Sequence, residues 1–129
     1  MAGTFLDHVD LRVADFERSL PRYDALFEAL GMGQTWRSAR WVGYGCAAME
    51  VRFFAITEKA DHRGKHNRIA FAAETKEAGD RVGEAIRAAG AREIEGPKFC
   101  PEYDPGYCAA CFEDDDGNRF EVCCHSAQG

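Results

Sequence analysis

The feature that most constrains this chain is an internal repeat. His8-Val9 and Arg68-Ile69 stand sixty residues apart, Gly31 and Gly90 fifty-nine apart, and the same order of elements can be read through both intervals. From Phe5 to Val13 the sequence alternates, with Phe5, Val9, Leu11 and Val13 on one face and His8, Asp10 and Arg12 on the other, the pattern of a half-buried strand. Asp15 then serves as N-cap to a helix that carries Phe16, Leu20, Tyr23, Phe27 and Leu30 at steps of three and four and stops at Gly31. Pro21 suits that interior badly because it removes a backbone donor, so either the helix bends or its regular part starts there. Three runs rich in aromatic and β-branched residues follow, around Trp36, from Trp41 to Tyr44 and from Glu50 to Ile56.

After a polar, aperiodic connection at 58–65 the pattern begins again. Asn67 to Ala73 reads as a strand with Ile69, Phe71 and Ala73 on its core face, and Thr75 caps a helix with Ala78, Val82, Ile86 and Ala89, stopped by Gly90. Arg92 to Glu95, Tyr107 to Glu113 and Asn118 to His125 supply three more strands, the last two joined by a turn at 114–118. The expected fold is therefore α+β: one domain over 1–129, built of two tandem βαβββ modules (about 5–57 and about 66–125). Each module has one helix to cover one face of a four-stranded sheet, so the other face needs a different use. Joining two such sheets predicts a cupped, barrel-like mixed sheet with the helices outside and a pocket inside.

A 129-residue chain that is 46% hydrophobic can bury a core without metal or disulfide staples. No apolar run reaches the roughly 20 residues of a membrane helix, and the first residues lack the pattern of a secretory signal, so the expected location is the cytoplasm. There the six cysteines are expected to remain thiols; Cys108 and Cys111, three apart on a strand, point to opposite faces, which argues against a redox or zinc pair. The net charge of -6 offers no basic face for nucleic acid or an anionic membrane.

Strand parity then selects what faces the cup. If the apolar side of each leading strand packs on its helix, His8, Asp10 and Arg12 face inward from the first, and His66, Arg68, Ala70 and Ala72 from the strand opening the second module. On the last strand Phe120 and Val122 alternate against Glu121, Cys123 and His125, which brings Glu121 to the same polar centre.

Leu6-Asp7-His8-Val9, Arg68-Ile69-Ala70-Phe71 and Asp116-Gly117-Asn118-Arg119-Phe120-Glu121, in this order and spacing, resemble the vicinal oxygen chelate superfamily of glyoxalase I, fosfomycin-resistance transferases, bleomycin-resistance proteins and extradiol dioxygenases. The loop from Pro101 to Tyr107 is similar to a glyoxalase-like bacterial branch. The resemblance implies a divalent ion (Ni, Zn, Mn, Mg or Fe) held by a His on the first strand, a His opening the second module and a Glu on the last strand. His8 and Glu121 match the first and third of these. At the second stands Arg68, which keeps its proton and cannot be a ligand; His66, two residues and roughly 7 Å away, substitutes only if the strand slips or bulges. Glyoxalase I also uses a Glu on the fourth strand, and aligning Phe53-Phe54-Ala55 with Phe120-Glu121-Val122 puts Phe54 there.

Two functions follow as expectations. One is a metal-dependent small-molecule enzyme of lyase, transferase or dioxygenase type, with an ion at His8 and Glu121, completed by His66, acting as a Lewis acid and Glu121 handling protons. The other is a metal-free protein of the resistance type that binds or sequesters a small molecule. In that reading Arg68 either pairs with Glu121 in the space of a metal or anchors an anionic ligand. Trp41, Phe54, Tyr103 and Tyr107, as pocket lining, suit a flat or aromatic ligand. The resemblance further implies a homodimer.

Overall fold

A computed structural model of the chain describes residues 6–64, 67–99 and 108–124. The chain divides into two compact units, Met1–Arg63 and Gly64–Gly129, called modules 1 and 2 below.

In module 1, β1 (His8–Val13) leads into α1 (Phe16–Ala29), followed by β2 (Gly33–Arg37), β3 (Trp41–Gly45) and β4 (Phe53–Glu58). The sheet order is β1-β4-β3-β2, with β1 and β4 parallel and the other pairs antiparallel. Asp15 caps α1 as its sequence predicts, its carboxylate accepting from the Arg18 N–H at 3.1 Å, while Glu58 from the end of β4 accepts from the Phe16 N–H at 3.1 Å. The helix runs from Phe16 straight through Pro21, so its regular part does not wait for the proline. Pro21 lacks the N–H that would bond to the Glu17 carbonyl, and one residue later the Arg22 side chain donates to the neighbouring Arg18 carbonyl at 2.9 Å. At the far end the Met32 N–H bonds to the Phe27 carbonyl at 2.7 Å and that of Gly31 to Glu28 at 3.0 Å, with Gly31 at φ +86°. This Schellman closure needs the left-handed conformation that glycine adopts at no steric cost.

The core of module 1 is aromatic. Phe16, Leu20, Tyr23, Leu26 and Phe27 of α1 are buried, and the Phe27 ring lies 4.4 Å from Tyr44 and 4.9 Å from Phe54. Tyr44 donates to Asp24 Oδ1 at 2.7 Å, an oxygen that also accepts from Gln34 Nε2 at 2.8 Å. Burial, then the Asp24 carboxylate, push the Tyr44 hydroxyl far above its ordinary pKa. The fourth strand starts at Phe53, later than the run from Glu50 suggests, because Ala47–Met49 forms a 3-10 turn that Glu50 leaves at φ +59°.

Module 2 repeats the plan with β5 (Arg68–Ala72), α2 (Lys76–Ala88), β6 (Arg92–Phe99), β7 (Cys108–Glu113) and β8 (Arg119–Cys124) in the order β5-β8-β7-β6, β5 and β8 being parallel. Thr75 caps α2 through the Ala78 N–H at 3.1 Å, and Gly90 at φ +87° closes it with the same pair of bonds, Ala91 to Ile86 and Gly90 to Arg87, both 3.1 Å. The 114–118 turn is organised by buried Asp114, whose Oδ1 accepts from the Asp116 and Asn118 N–H groups at 2.9 Å each and whose Oδ2 accepts from Asn118 Nδ2 at 2.7 Å. Gly64 lies flat against this turn. Its N–H bonds to the Asp116 carbonyl at 2.8 Å, and a Cβ there would stand 2.3 Å from the Gly117 carbonyl carbon. Among the described residues no helix is long and apolar enough to cross a membrane.

Candidate functional site

In each module the helix covers one face of the sheet, and the site residues predicted from parity belong to the other, open face. On module 1 the β1–β4 register places His8 beside Phe53, Asp10 beside Ala55 and Arg12 beside Thr57. The His8 ring stacks on Phe53 (centroids 4.6 Å apart, planes 10° apart), and its Nδ1 lies 2.9 Å from Asp7 Oδ1. In the neutral tautomer that donates from Nδ1 to this carboxylate, Nε2 is the nitrogen left as an acceptor. Asp10 takes a bond from Thr57 Oγ1 at 2.8 Å and pairs with Arg12 at 2.7 Å.

The rings continue across the sheet. Trp41 meets Phe53 edge-on at 5.9 Å and Trp36 at 4.1 Å, and Trp36 is 54% exposed. Gly43 makes room for this row: a Cβ there would meet the Trp41 indole at 3.2 Å. Phe54 does not belong to it. Paired with Val9, it points to the helix side and is buried against Phe27. The register position corresponding to Glu121 is Ala55, because Ala55 pairs with Asp10 as Glu121 pairs with Ala70. The alignment from residue likeness is thus one position off, and a one-residue slip in a strand reverses the face. At that position module 1 has a methyl group and no carboxylate.

On module 2 the open face carries Arg68, Ala70 and Ala72 from β5, Arg119, Glu121 and Cys123 from β8, and Ala109, Cys111 and Glu113 from β7. Glu121 is buried, its side chain 9% exposed, with Arg68 Nη1 3.7 Å from Oε1 and the Cys111 thiol 3.9 Å from the same oxygen. A buried carboxylate needs such compensation, and the guanidinium provides it while itself remaining 50% exposed. Next to this pair is a second one, Arg119 Nε to Glu113 Oε2 at 3.7 Å. A cleft of about 320 Å³ lies at this end of the sheet, bordered by Arg68, Arg119, Glu113 and Cys111, by Glu93 and Glu95 on the far strand, and by the apolar Ile94, Phe112 and Phe120.

Arg119 and the β6 carboxylates were not singled out by the sequence reading. Arg119 has a signal there, since it shares the parity of Glu121 two residues on; that it lies directly beside Arg68 is a matter of parallel register, which no sequence period encodes. His66, Tyr103, Tyr107 and His125 lie outside the described residues.

Among the described residues no group of three or more His, Cys, Asp or Glu side chains is placed to hold a metal. The second expected ligand position is a permanent cation, directed at the one carboxylate an ion would use.

The family model described as Glyoxalase/Bleomycin resistance protein/Dioxygenase superfamily matches residues 5–122. A glyoxalase/bleomycin resistance protein from Albidiferax ferrireducens T118 superposes with a TM-score of 0.78 at 27% identity, over 95% of this chain and 100% of that one. A putative glyoxalase from Bacillus halodurans gives 0.75 at 21% identity, over 95% and 96%. The fosfomycin resistance protein FosX from Listeria monocytogenes, in complex with Mn(II) and sulfate, gives 0.69 at 21% identity, over 99% and 94%. No curated protein sequence matches the chain.

Proposed function

We propose, given that this chain belongs to the glyoxalase/bleomycin resistance protein/dioxygenase superfamily, that it binds a small molecule on the open face of module 2 through Arg68 and Glu121, without a divalent ion as the anchor. The observation that carries this reading is the Arg68–Glu121 contact: a half-exposed guanidinium 3.7 Å from a buried carboxylate, where the resemblance leads one to expect a His and a metal. A guanidinium has five N–H donors in a rigid fork, so the contact with Glu121 leaves several for an oxygen of the ligand. Glu121 holds the arginine in place and is the proton acceptor beside any ligand group that Arg68 polarises. On module 1 by itself, the Trp41 indole joins Trp36 and Phe53 in an open-face surface suited to a flat group.

A metal-dependent enzyme is the second reading, and one observation favours it: the Asp7 carboxylate lies 2.9 Å from His8 Nδ1, the kind of partner that orients a ligand imidazole. A third donor is lacking among the described residues, so no chemical step is drawn through an ion.

The test is calorimetric titration of Mn(II), Ni(II) and Zn(II) into the wild-type chain and into Arg68→His. The expected result is no stoichiometric uptake by the wild type. Arg68→His, which replaces the cation by a neutral ligand, should gain at least about tenfold in affinity, or about 1.4 kcal/mol. One tightly bound equivalent in the wild type would overturn the proposal.

A further inference from the structure

Charge is distributed unevenly across the module 2 cleft. Its β5–β8 side carries Arg68 and Arg119, which the parallel register sets directly beside each other on one face. Like charges at such positions repel. Each is answered by a single carboxylate, Glu121 or Glu113, and both contacts are 3.7 Å, longer than the roughly 2.7–2.9 Å of a charge-assisted hydrogen bond. Arg68 and Arg119 are 50% and 40% exposed. The pair is therefore held near the cleft with donors to spare.

The β7–β6 side has the opposite sign. Glu113 ends β7, and Glu93 and Glu95 border the cleft from β6. The register of β6 against β7 shifts between Arg92 and Glu95, and within that bulge Glu93 sits at φ +52°, a left-handed conformation that a non-glycine residue rarely adopts. Such outliers concentrate at functional sites. Arg92, which the register sets opposite Glu113, is not among the residues bordering the cleft, and its Nη1 donates to the Asp115 carbonyl at 3.0 Å. The cleft is bordered by the two guanidinium groups of Arg68 and Arg119 and the three carboxylates of Glu113, Glu93 and Glu95. The cleft is thus not a general anion receptor, and its two signs lie on different strands.

Resting on the metal-independent reading above, we propose that this cleft receives a small zwitterion. Its oxyanion bridges Arg68 and Arg119, and its ammonium group lies against Glu113, Glu93 and Glu95. The volume of about 320 Å³ is at the small end of ligand pockets. Adjacent strands are about 4.8 Å apart, so the two charges of the ligand stand between one and two strand spacings from each other.

The experiment is calorimetric titration of the full chain with 4-aminobutylphosphonate, whose charged ends span about one and a half strand spacings, alongside butylphosphonate and butylammonium. The zwitterion is expected to bind at least about tenfold more tightly than either singly charged probe. Arg119→Gln and Glu95→Gln should each cost about tenfold in affinity for the zwitterion. Only Arg119→Gln should also weaken butylphosphonate. Glu95 is exposed, and Arg119→Lys retains the charge, so these variants keep the test open if Arg119→Gln fails to fold. Equal affinity for zwitterion and phosphonate, or no saturable binding of the zwitterion, overturns the ligand class and leaves the metal-independent reading standing. A stoichiometric ion in the wild-type protein overturns that reading instead.

Discussion

The two modules share element order, sheet order, helix caps and a Schellman closure at Gly31 and Gly90, yet the faces of their sheets have been put to different uses. Module 1 is aromatic on both sides: α1 buries five large side chains, of which Phe27 packs on Tyr44 and Phe54, and the open face carries His8, Phe53, Trp41 and Trp36. In module 2 the buried residues of α2 are Val82, Gly83 and Ile86, and the open face is small and charged, with Ala70, Ala72 and Ala109 leaving space around Arg68, Arg119 and Glu121. The comparison teaches that a repeated topology fixes where an open face lies but not what chemistry it holds. It also suggests a division of labour, with module 1 carrying more packing energy and module 2 the polar site.

The strongest way to break this comparison is to cut equivalent helix residues. Phe27→Ala, which removes a ring touching Tyr44 and Phe54, should cost about 3–5 kcal/mol, and Ile86→Ala about 2–3 kcal/mol, measured by urea denaturation. A larger loss at Ile86 would reverse the assignment of the better-packed core. Next comes Gly64→Ala: the added methyl meets the backbone of the 114–118 turn, and overpacking of this kind costs about 1–3 kcal/mol. That loss should appear as disorder at Asp114 and Asn118 in amide exchange, with module 1 protected as before.

A smaller effect concerns Tyr44. Tyr44→Phe removes its bond to Asp24 and should cost about 1 kcal/mol at neutral pH. Since burial raises the pKa of this hydroxyl in the folded state, its contribution is present in full below the ordinary value of 10.0 and is lost as pH rises above it, where the unfolded chain ionises first. Stability of the wild type should therefore fall above pH 10, and the decline should be shallower in Tyr44→Phe. The smallest change is expected from Trp36→Ala, within about 0.5 kcal/mol, because this ring is more than half exposed. A much larger cost would make the aromatic row a part of the fold and remove it from consideration as a ligand surface.

Much of the framework was legible in the sequence, and the residues show why. Asp15, Thr75, Gly31 and Gly90 act through local backbone geometry, so their roles could be read without tertiary information. Strand parity likewise tells which face of their sheets His8 and Glu121 occupy. What failed was register: Phe54 was matched to Glu121 by the likeness of neighbouring residues, whereas the hydrogen-bonded pairing matches it to Phe120 and turns it toward the helix. The Arg68–Arg119 neighbourhood and the bulge at Glu93 were illegible for the same reason, since both arise from how one strand is offset against the next.

The central claim is that Arg68 occupies, beside Glu121, the role a metal would otherwise take. It is tested most directly by anomalous diffraction from crystals of the wild-type protein grown with Mn(II). The expected result is no manganese peak at the Glu121 carboxylate and a guanidinium still directed at Oε1. A peak within the roughly 2.0–2.2 Å coordination range of a small divalent cation, with Arg68 turned away, would contradict it.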